Sequence, residues 1–532
     1  MRNKYKYFAL FLFKTEFNTR KLFIKGTYML KFISFEDEID IYWNRAKKLD
    51  ENENYVVYLN QKKVGTTKKT HFELKNLSPD CQFEIAVELS GGKINKKIGC
   101  IFAKTRFLPN RIDITKQPYC ALGDGKTLNT NAIQKALDDC KAGDCVYIPN
   151  GTYLTGGLKI HSNTYLYLED NAVLKGTENF NDYLPKVKSR FEGIEQMCYQ
   201  SLINIGDLDH TSGYNCKNVV IRGGSIIGGG EKLGKSIIEE ETRLMKEYLE
   251  KNKSLVAECE TSVTIQGRAR GRLLQVANTK NLVLANTYYA EGASWNLHFI
   301  YSKDIVTTGC HIQSIKVHNG DGWDPDSSEN CVLYNTKFET GDDCVAIKSG
   351  KNPEGNVINR PSKNIKIFDC YAISGTSIAM GSEMSGGVEN VEIWDCNVAN
   401  TIAGINIKAA EKRGGYIKNV KIYDTVACQV SITATVGYNN DGQPAKTPSK
   451  LSDFYFENLS ITGIGLNVLK SGERKIIDRD AIILQGLDRK GCEIQNVTFV
   501  DCTLLPLAEE KIHNVCIKNT KNIVFKNFNA NN

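Results

Sequence analysis

Three stretches of the sequence decide the fold: Asn364-Ile365-Lys366-Ile367, Asn390-Val391-Glu392-Ile393 and Asn419-Val420-Lys421-Ile422. In each stretch an Asn precedes alternating apolar and charged residues, which is the two-residue period of a β-strand with one buried face. The same pattern begins at Asn218, Asn281, Asn496 and Asn522, with weaker copies at Asp304 and Asn330. Between positions 281 and 419 the copies lie about 23–34 residues apart, the length of one coil in a solenoid whose stacked coils bury a shared core. The repeat predicts a parallel β-helix over residues 107–532, with an Asn at one corner of each coil.

The residue counts agree with a β-rich fold of many turns. The chain of 532 residues has 44 Gly but 11 Pro, and Gly supplies the positive φ angles that tight corners need. Cys310, Cys370, Cys396 and Cys502 follow strands of the repeat, where small apolar side chains can stack inside a coil. The 17 cysteines contain no CxxC pair. We therefore interpret them as mostly buried free thiols, typical of a reducing compartment.

A different pattern fills residues 31–106. Alternating stretches such as 55–59 and 83–87 predict antiparallel strands, and so a small β-sandwich with Trp43 as the core anchor between its sheets. The spacing of Trp43 and these strands resembles a fibronectin type III module. We interpret the domain as a spacer or packing module, with sugar binding by an exposed Trp43 or Tyr58 as the alternative.

Residues 1–30 form an N-terminal extension ahead of this domain. Their apolar run at 8–13 ends at Lys14, and it is shorter than the ~7–15 residue core of a signal peptide. With Met29 as an alternative start, we expect a cytoplasmic protein, and secretion is the alternative.

Charge and hydropathy narrow the range of partners. The net charge is +7, but Lys and Arg are scattered and no basic run with interleaved aromatic residues occurs, so we expect no nucleic-acid partner. No stretch approaches the ~18 apolar residues of a membrane span, so we expect no membrane partner. The sequence does not specify an oligomeric state.

Two helices are predicted within the larger domain. The first follows Thr130 as N-cap, with apolar residues at helical spacing at 133, 136 and 137. The second runs from Ser236 to about residue 254, with Ser236 and Glu239 as a capping box. It interrupts the repeat, so we expect an insertion packed against the solenoid, which could close one end of a cleft.

The densest polar cluster lies in two motifs about one coil apart, Asn319-Gly320-Asp321-Gly322-Trp323-Asp324-Pro325-Asp326 and Gly341-Asp342-Asp343. Adjacent coils would bring these carboxyl groups out on one face. Glycoside hydrolysis needs a protonated carboxylic acid and an ionised carboxylate, and neighbouring carboxylates raise one another's pKa. Turn signatures or calcium-binding corners are the alternatives that the pattern alone leaves open.

These motifs resemble the polygalacturonase family of pectin-degrading glycoside hydrolases over residues ~115–530. The family's Asn-Thr-Asp-Gly stands here as Asn319-Gly320-Asp321-Gly322, its Gly-Asp-Asp is intact, and its Arg-Ile-Lys is Asn406-Ile407-Lys408. Flanking matches include Trp295-Asn296-Leu297-His298, the Gly-Ser-Glu that ends at Glu383, and Arg413-Gly414-Gly415. The resemblance implies an all-β, right-handed, single-stranded parallel β-helix that cleaves α-linked galacturonic acid in pectic polysaccharides or oligogalacturonides.

The resemblance also implies roles for particular residues. Asp342 would be the acid of an inverting mechanism, and Asp321 with Asp343 would hold the attacking water. The predicted substrate-binding residues are Asn319, Trp295, His298, Glu383, Lys408 and Arg413. We expect no metal and no cofactor, and we expect Asp324 and Asp326 to bond nearby turn amides.

One departure from the family pattern concerns the mode of action. The usual Gly-His-Gly is absent, and Ser374-Gly375-Thr376-Ser377 occupies that region. This favours an exo-acting enzyme, with rhamnogalacturonan or xylogalacturonan as alternative substrates. From other classes of protein, a calcium-dependent β-helix pectate lyase and a noncatalytic carbohydrate-binding β-helix remain the alternatives.

Overall fold

The computed structural model describes residues 30–92, 95–437, 441–505 and 514–530. The chain divides into two compact units, Met1–Arg111 with Ala142–Asp144, and Ile112–Lys141 with Cys145–Asn532. The predicted N-terminal extension, its apolar run and Met29 lie outside the described residues.

The smaller unit contains two antiparallel sheets around one core. Trp43 is 1% exposed in that core and meets Tyr55 edge to face, with ring centroids 5.1 Å apart. This confirms Trp43 as the core anchor and excludes it as an exposed sugar-binding residue. The strands are Lys31–Ser34, Ile39–Tyr42 and His71–Leu74 in one sheet, and Asn54–Leu59, Lys62–Thr67, Gln82–Ser90 and Lys96–Lys104 in the other.

The larger unit is a parallel β-helix, as predicted. We call its 11-stranded parallel sheet sheet A and its 24-stranded sheet sheet B. The strands of sheet A are Leu158–Ile160, Ile203–Ile205, Leu274–Ala277, Leu297–Ile300, Trp323–Asp326, Val345–Ile347, Ser377–Met380, Gly404–Ala410, Val430–Thr435, Ile482–Gln485 and Val515–Lys518.

Sheet B supplies the other strands of each coil. Its strands are Asn110–Asp113, Asp124–Leu128, Asp144–Ile148, Gly151–Thr155, Tyr165–Leu168, Ala172–Gly176, Cys216–Arg222, Ser225–Ile227, Thr279–Ala285, Tyr288–Ala290, Lys303–Thr308, His311–Gln313, Glu329–Glu339, Ser362–Ser374, Val388–Trp394, Asn397–Val398, Tyr416–Tyr423, Val426–Ala427, Lys450–Glu457, Ser460–Ile461, Ile494–Val500, Thr503–Leu504, Thr520–Lys526 and Asn529–Ala530.

The Asn repeat forms one corner of the coil, which confirms its predicted place. Asn364, Asn390 and Asn419 adopt left-handed backbone with φ of 58°, 58° and 53°, a conformation that Asn tolerates better than other residues with a Cβ. Their side chains form a ladder, since Asn390 Nδ2 donates to Asn364 Oδ1 at 3.1 Å and Asn419 Nδ2 donates to Asn390 Oδ1 at 2.6 Å. Each amide can both donate and accept, so the ladder can continue from rung to rung.

The interior is filled by stacked, buried apolar side chains. Trp323 pairs with Val345, which pairs with Ile378, and all three are at most 2% exposed. The four predicted ladder cysteines are buried, and all 17 cysteines, which lie within the described ranges, are free thiols. These features confirm the predicted shared core.

Both helix starts differ from the sequence prediction. The first helix is Thr130–Asp139 with Asn129 as N-cap, and Thr130 Oγ1 instead accepts a hydrogen bond from Gly156 N at 2.8 Å. The inserted helix begins at Gly230, so Ser236 lies inside it and donates to Leu233 O. The capping box was therefore wrong. The helices are Thr130–Asp139, Gly230–Leu244, Lys246–Lys251, Lys253–Glu258, Thr264–Gly267 and Glu354–Ile358, with 3-10 turns Phe180–Tyr183 and Glu411–Arg413.

Two antiparallel hairpins leave the coil beside sheet A. One consists of Val187–Phe191 and Ile194–Cys198, and the other of Ile464–Val468 and Arg474–Asp478. The first hairpin contributes residues to the candidate active site.

Candidate active site

The three predicted catalytic aspartates lie on neighbouring coils of sheet A. Asp321 precedes the strand Trp323–Asp326, and Asp342 with Asp343 precedes the strand Val345–Ile347. The two turns are joined directly, because Gly322 N donates to Asp343 O at 2.9 Å. A Cβ at Gly322 would lie 2.4 Å from Cys344 O, so this close approach requires glycine.

Asp321 is held by a buried lysine. Lys348 Nζ donates to Asp321 Oδ2 at 2.8 Å and to Asp324 Oδ2 at 3.0 Å, and its ammonium lies 3.3 Å from the centroid of the Trp295 ring. Burial raises the pKa of Asp321, and the cation of Lys348 opposes that rise. The pKa of Lys348 is raised because its carboxylate neighbours outweigh its burial.

Asp343 has its own cation. Lys408 Nζ lies 3.0 Å from Asp343 Oδ2, and Ser377 Oγ donates to Asp343 Oδ1. The Lys408 side chain is 24% exposed whereas that of Asp343 is 5% exposed. Lys408 therefore neutralises a buried carboxylate while it keeps part of its surface open to solvent.

Asp342 differs from both of these carboxylates. Within the described ranges it forms no ion pair, and its Oδ1 accepts a hydrogen bond from the amide of Asp343 at 2.9 Å. Burial, followed by the charges of Asp321 and Asp343, raises its pKa well above the ordinary value. The half-buried Asp342 is thus favoured to keep a proton.

The Trp-Asn-Leu-His motif lies behind this group rather than on an open surface. His298 is fully buried, and its Nε2 lies 3.2 Å from Asp326 Oδ2. Burial lowers the pKa of His298 to about 3. Trp295, 3% exposed, stacks on Phe191 with centroids 4.6 Å apart. Substrate binding by these two residues stays a prediction, and in this arrangement it would be indirect.

The other three predicted substrate-binding residues also make internal contacts. Arg413 is fully buried, and it donates from Nη1 to Asn352 Oδ1 at 2.6 Å and from Nε to Ser382 O at 3.2 Å. Asn319 Oδ1 accepts from Arg270 Nη2 at 2.7 Å. Glu383 is 8% exposed, and although burial raises its pKa, Lys348 and then Arg413 make the net shift downward.

The expectation for Asp324 and Asp326 was wrong. Both carboxylates bind cations rather than turn amides: Asp324 pairs with Lys348, and Asp326 Oδ1 lies 3.0 Å from Arg190 Nη1. Arg190 comes from the hairpin strand Val187–Phe191, far away in sequence. Lys348 carried a signal that the sequence interpretation missed, since it is the charge that ends the apolar run 344–347.

A second buried ion cluster, which we call the rim cluster, joins four distant segments. Arg268 Nη2 lies 2.8 Å from Glu192 Oε2 and 2.7 Å from Asp441 Oδ2, and Lys351 also pairs with Asp441. Each of these side chains is at most 10% exposed. The rim cluster thereby fastens the end of the helical insertion to the first hairpin and to the loop after Val430–Thr435.

The segment next to the rim cluster lies within electrostatic range of Lys408. Desolvation and the charge of Glu192 raise the pKa of Glu260, while Lys408 opposes the rise, so Glu260 lies within electrostatic range of Lys408. Glu258 Oε2 lies 3.8 Å from Lys412 Nζ. In sequence, the insertion comes just before the strand Leu274–Ala277. In space, its end lies beside residues that follow a strand five positions further along sheet A. At the usual spacing between strands, these two positions are about 24 Å apart.

The described residues contain neither a candidate metal cluster nor a candidate membrane-spanning helix. No cluster of three or more His, Cys, Asp or Glu side chains could hold a metal ion there. No helix in that part of the chain is long and apolar enough to cross a membrane.

Comparison with known proteins identifies similar sequences and folds. The model described as "Glycosyl hydrolases family 28" matches residues 175–498. The chain is 26% identical over 407 residues to the "Exo-poly-alpha-D-galacturonosidase" of Dickeya chrysanthemi, covering 72% of this chain and 67% of that one. It is 32% identical over 319 residues to the "Probable polygalacturonase" of Vitis vinifera, covering 57% and 58%. The matches thus span about three fifths to two thirds of these relatives.

Solved structures share the fold. The "Yersinia enterocolitica Family 28 Exopolygalacturonase" superposes with a TM-score of 0.75 at 21% identity, covering 94% of this chain and 96% of that one. The "hyperthermoactive Exopolygalacturonase from Thermotoga maritima" gives a TM-score of 0.60 at 26% identity, with coverage of 74% and 87%. These likenesses agree with the parallel β-helix.

Proposed function

This chain belongs to glycosyl hydrolases family 28, and on that premise we propose that it hydrolyses α-glycosidic bonds of galacturonic acid in pectic polysaccharides or oligogalacturonides. One observation carries the proposal. Of three carboxylates on neighbouring coils, Asp321 and Asp343 are each paired with a lysine, whereas Asp342 pairs with no cation in the described part of the chain. The names of the relatives from Dickeya chrysanthemi and Vitis vinifera support the choice of substrate.

The charge pattern assigns the steps of an inverting reaction. Protonated Asp342 donates its proton to the glycosidic oxygen as the bond from that oxygen to the sugar C1 breaks. Asp321 and Asp343, each bound to a lysine, orient a water molecule and accept its proton while its oxygen attacks C1 from the opposite face. The products are a sugar of inverted configuration and a free hydroxyl on the leaving group.

Recognition of the uronate carboxylate follows from Lys408. Its ammonium is bound to Asp343 on one side, and a quarter of the side chain is exposed, so it can also contact an acidic sugar beside the reacting bond. We assign Asn319 and Glu383 to the cleft wall. His298, Trp295 and Arg413 support that wall from behind.

We propose exo action because the insertion runs along the catalytic face. The rim cluster fixes the insertion at Asp441, beside the loop that follows Val430–Thr435. A cleft bordered in this way admits a chain end more readily than the middle of a polymer. Asp441→Asn should loosen the border, so its early products from polygalacturonate should include longer oligomers than those of the native enzyme. An unchanged product pattern would contradict the role of the rim cluster.

The proposed activity is tested by product analysis on polygalacturonate, digalacturonate, xylogalacturonan and rhamnogalacturonan. We expect saturated products from the galacturonan substrates, unaffected by EDTA, and turnover at least about 10²–10⁴-fold lower in Asp342→Asn. An unsaturated product together with loss of activity in EDTA would instead indicate a lyase. Binding without any new reducing ends would indicate a carbohydrate-binding protein.

Two further proposals concern the rest of the chain. The two antiparallel sheets and the buried Trp43 support a fibronectin type III-like spacer in the smaller unit. The 17 free thiols support a reducing, cytoplasmic location. Growth of the organism on pectin fragments, followed by fractionation and immunodetection, tests the location, and recovery from the medium would contradict it.

A further inference from the structure

Lys348 was not among the predicted site residues, and the proposed reaction uses it only as the ion-pair partner of Asp321. It follows the strand Val345–Ile347, is 3% exposed, and binds Asp321 and Asp324 at once. The face of the Trp295 ring lies against its ammonium. Asp324 is fully buried and Trp295 is 3% exposed, so neither can touch a substrate without rearrangement.

We propose that Lys348 is a positioning residue that fixes the Asp321 carboxylate for water activation, and that Asp324 and Trp295 act on the reaction through Lys348. The inference rests on the proposed function, because it assumes that Asp321 accepts a proton from water. It gives this chain a device for orienting the base in a sequence whose Gly-His-Gly motif is absent.

The geometry argues for more than a structural ion pair. A buried ammonium is costly unless several groups solvate it, and here two carboxylate oxygens and an aromatic face do so. The carboxylates of Asp321 and Asp324 share the single cation of Lys348. Asp324 Oδ1 has no hydrogen-bond partner within the described ranges, so the link to Lys348 is the main contact of that carboxylate, and Asp324 competes with Asp321 for the ammonium.

Lys348 and Asp324 should therefore influence the pKa of Asp321 in opposite directions. The cation of Lys348 lowers the pKa of Asp321, whereas ionised Asp324 raises it. Burial raises the pKa of Asp324 itself well above its ordinary value, and Lys348 opposes that rise. The charged or titratable groups that face Asp321 or Lys348 are Asp324, Asp326, Asp342, Asp343, Cys344, Lys408, Arg270, Arg272, His298 and Glu383. Apart from Asp324, these groups are common to all variants, so differences between variants report Lys348 and Asp324.

The test compares Lys348→Met with Asp324→Asn. Lys348→Met keeps an apolar stem against Trp295 but removes the cation, so kcat should fall about tenfold to a hundredfold with a smaller change in KM. The acid limb of its pH profile for kcat/KM should move up by about one unit. Asp324→Asn leaves the whole cation to Asp321, so the acid limb should move down by about 0.5–1 unit.

Two controls separate positioning from folding. Lys363→Met removes an ion pair with Glu329 in sheet B, 3.0 Å long, and should leave both the profile and kcat unchanged. Lys348→Arg restores the charge with a different geometry, so the acid limb should return toward its original position while kcat stays reduced. If Lys348→Met does not fold, Asp324→Asn and Lys348→Arg still test the directions.

A second measurement does not depend on activity. Aspartate labelled with ¹³C at the carboxyl carbon, with Asp321 assigned through Asp321→Asn, reports the titration of Asp321 by NMR. We expect its pKa to rise in Lys348→Met and to fall in Asp324→Asn. Shifts in the same direction, or no shift in folded variants, would overturn the inference. An inactive native enzyme with these opposite shifts would instead overturn the proposed function alone.

Discussion

The Asn corner of sheet B and the catalytic turns of sheet A use neighbouring coils in opposite ways. At the corner, identical neutral amides bind one another, as Asn364, Asn390 and Asn419 do. At the catalytic turns, different charged groups meet: two of the aspartates face lysines, and Asp342 has none in the described part of the chain. An amide both donates and accepts, so its ladder can be extended indefinitely, whereas stacked carboxylates repel.

The difference between the Asn corner and the aspartate turns indicates where function can arise in a repeat protein. The amide ladder satisfies each member with its neighbours and leaves no group in an unusual protonation state. The carboxylate group remains together only because Lys348 and Lys408 are inserted beside it, and the member that lacks a cation keeps a raised pKa. We therefore propose that the chemistry takes place where the repeat is interrupted.

The largest effect should come from removing that unpaired member. Asp342→Asn keeps the size of the side chain and its acceptor for the Asp343 amide but cannot donate a proton, so turnover should fall at least about 10²–10⁴-fold with binding largely preserved. Steady-state kinetics on polygalacturonate measure this. The matched control is Asp304→Asn. It puts Asn, the usual residue of the repeat, at a corner where this chain has Asp, and it should leave turnover unchanged. Near-native turnover in Asp342→Asn would mean that another group is the acid.

A smaller effect is expected at the exposed lysine. Lys408→Ala removes a cation that neutralises Asp343 and faces the proposed uronate site, so kcat/KM should fall about tenfold to a hundredfold. The loss should be greater for galacturonan fragments than for substrates whose carboxylates are methyl-esterified. Equal losses on both substrates would confine Lys408 to its ion pair with Asp343.

The smallest effect should come from the amide ladder, and it should concern stability alone. Asn390→Ala removes two hydrogen bonds. It also leaves, at a φ of 58°, a residue whose side chain cannot form the hydrogen bonds that help Asn to adopt this conformation. The free energy of unfolding should therefore fall by about 1–2 kcal/mol. Asn390→Gly should recover the part due to backbone strain. Denaturant titration measures both variants, and kcat should be native in each. A change in kcat would show that the two faces are coupled.

The repeat made most of the fold predictable. Alternation after each Asn fixed which residues face inward, and the 21-residue separation of Asp321 and Asp342 placed them on neighbouring coils. The start of the insertion was not predictable, because Ser236 and Glu239 satisfy a capping pattern while lying inside a longer helix.

The surroundings of the aspartates were less predictable for a specific reason. A strand position that faces outward from sheet A is normally exposed, yet all four residues of Leu297–Ile300 are buried. The hairpin strand Val187–Phe191 contributes Arg190 and Phe191 to their covering. The repeat does not predict where a hairpin that leaves the coil folds back onto it. His298 and Trp295 were therefore identified as motif residues but not as buried ones.

We propose a mechanism in which two lysine-paired aspartates activate water, while Asp342, which has no cation partner in the described part of the chain, supplies the proton. Inversion is its direct consequence, since water and leaving group occupy opposite faces of the sugar. Proton NMR of the first product released from an α-linked galacturonan, recorded before mutarotation, measures the outcome. The account predicts the β-anomer, and first release of the α-anomer would contradict it.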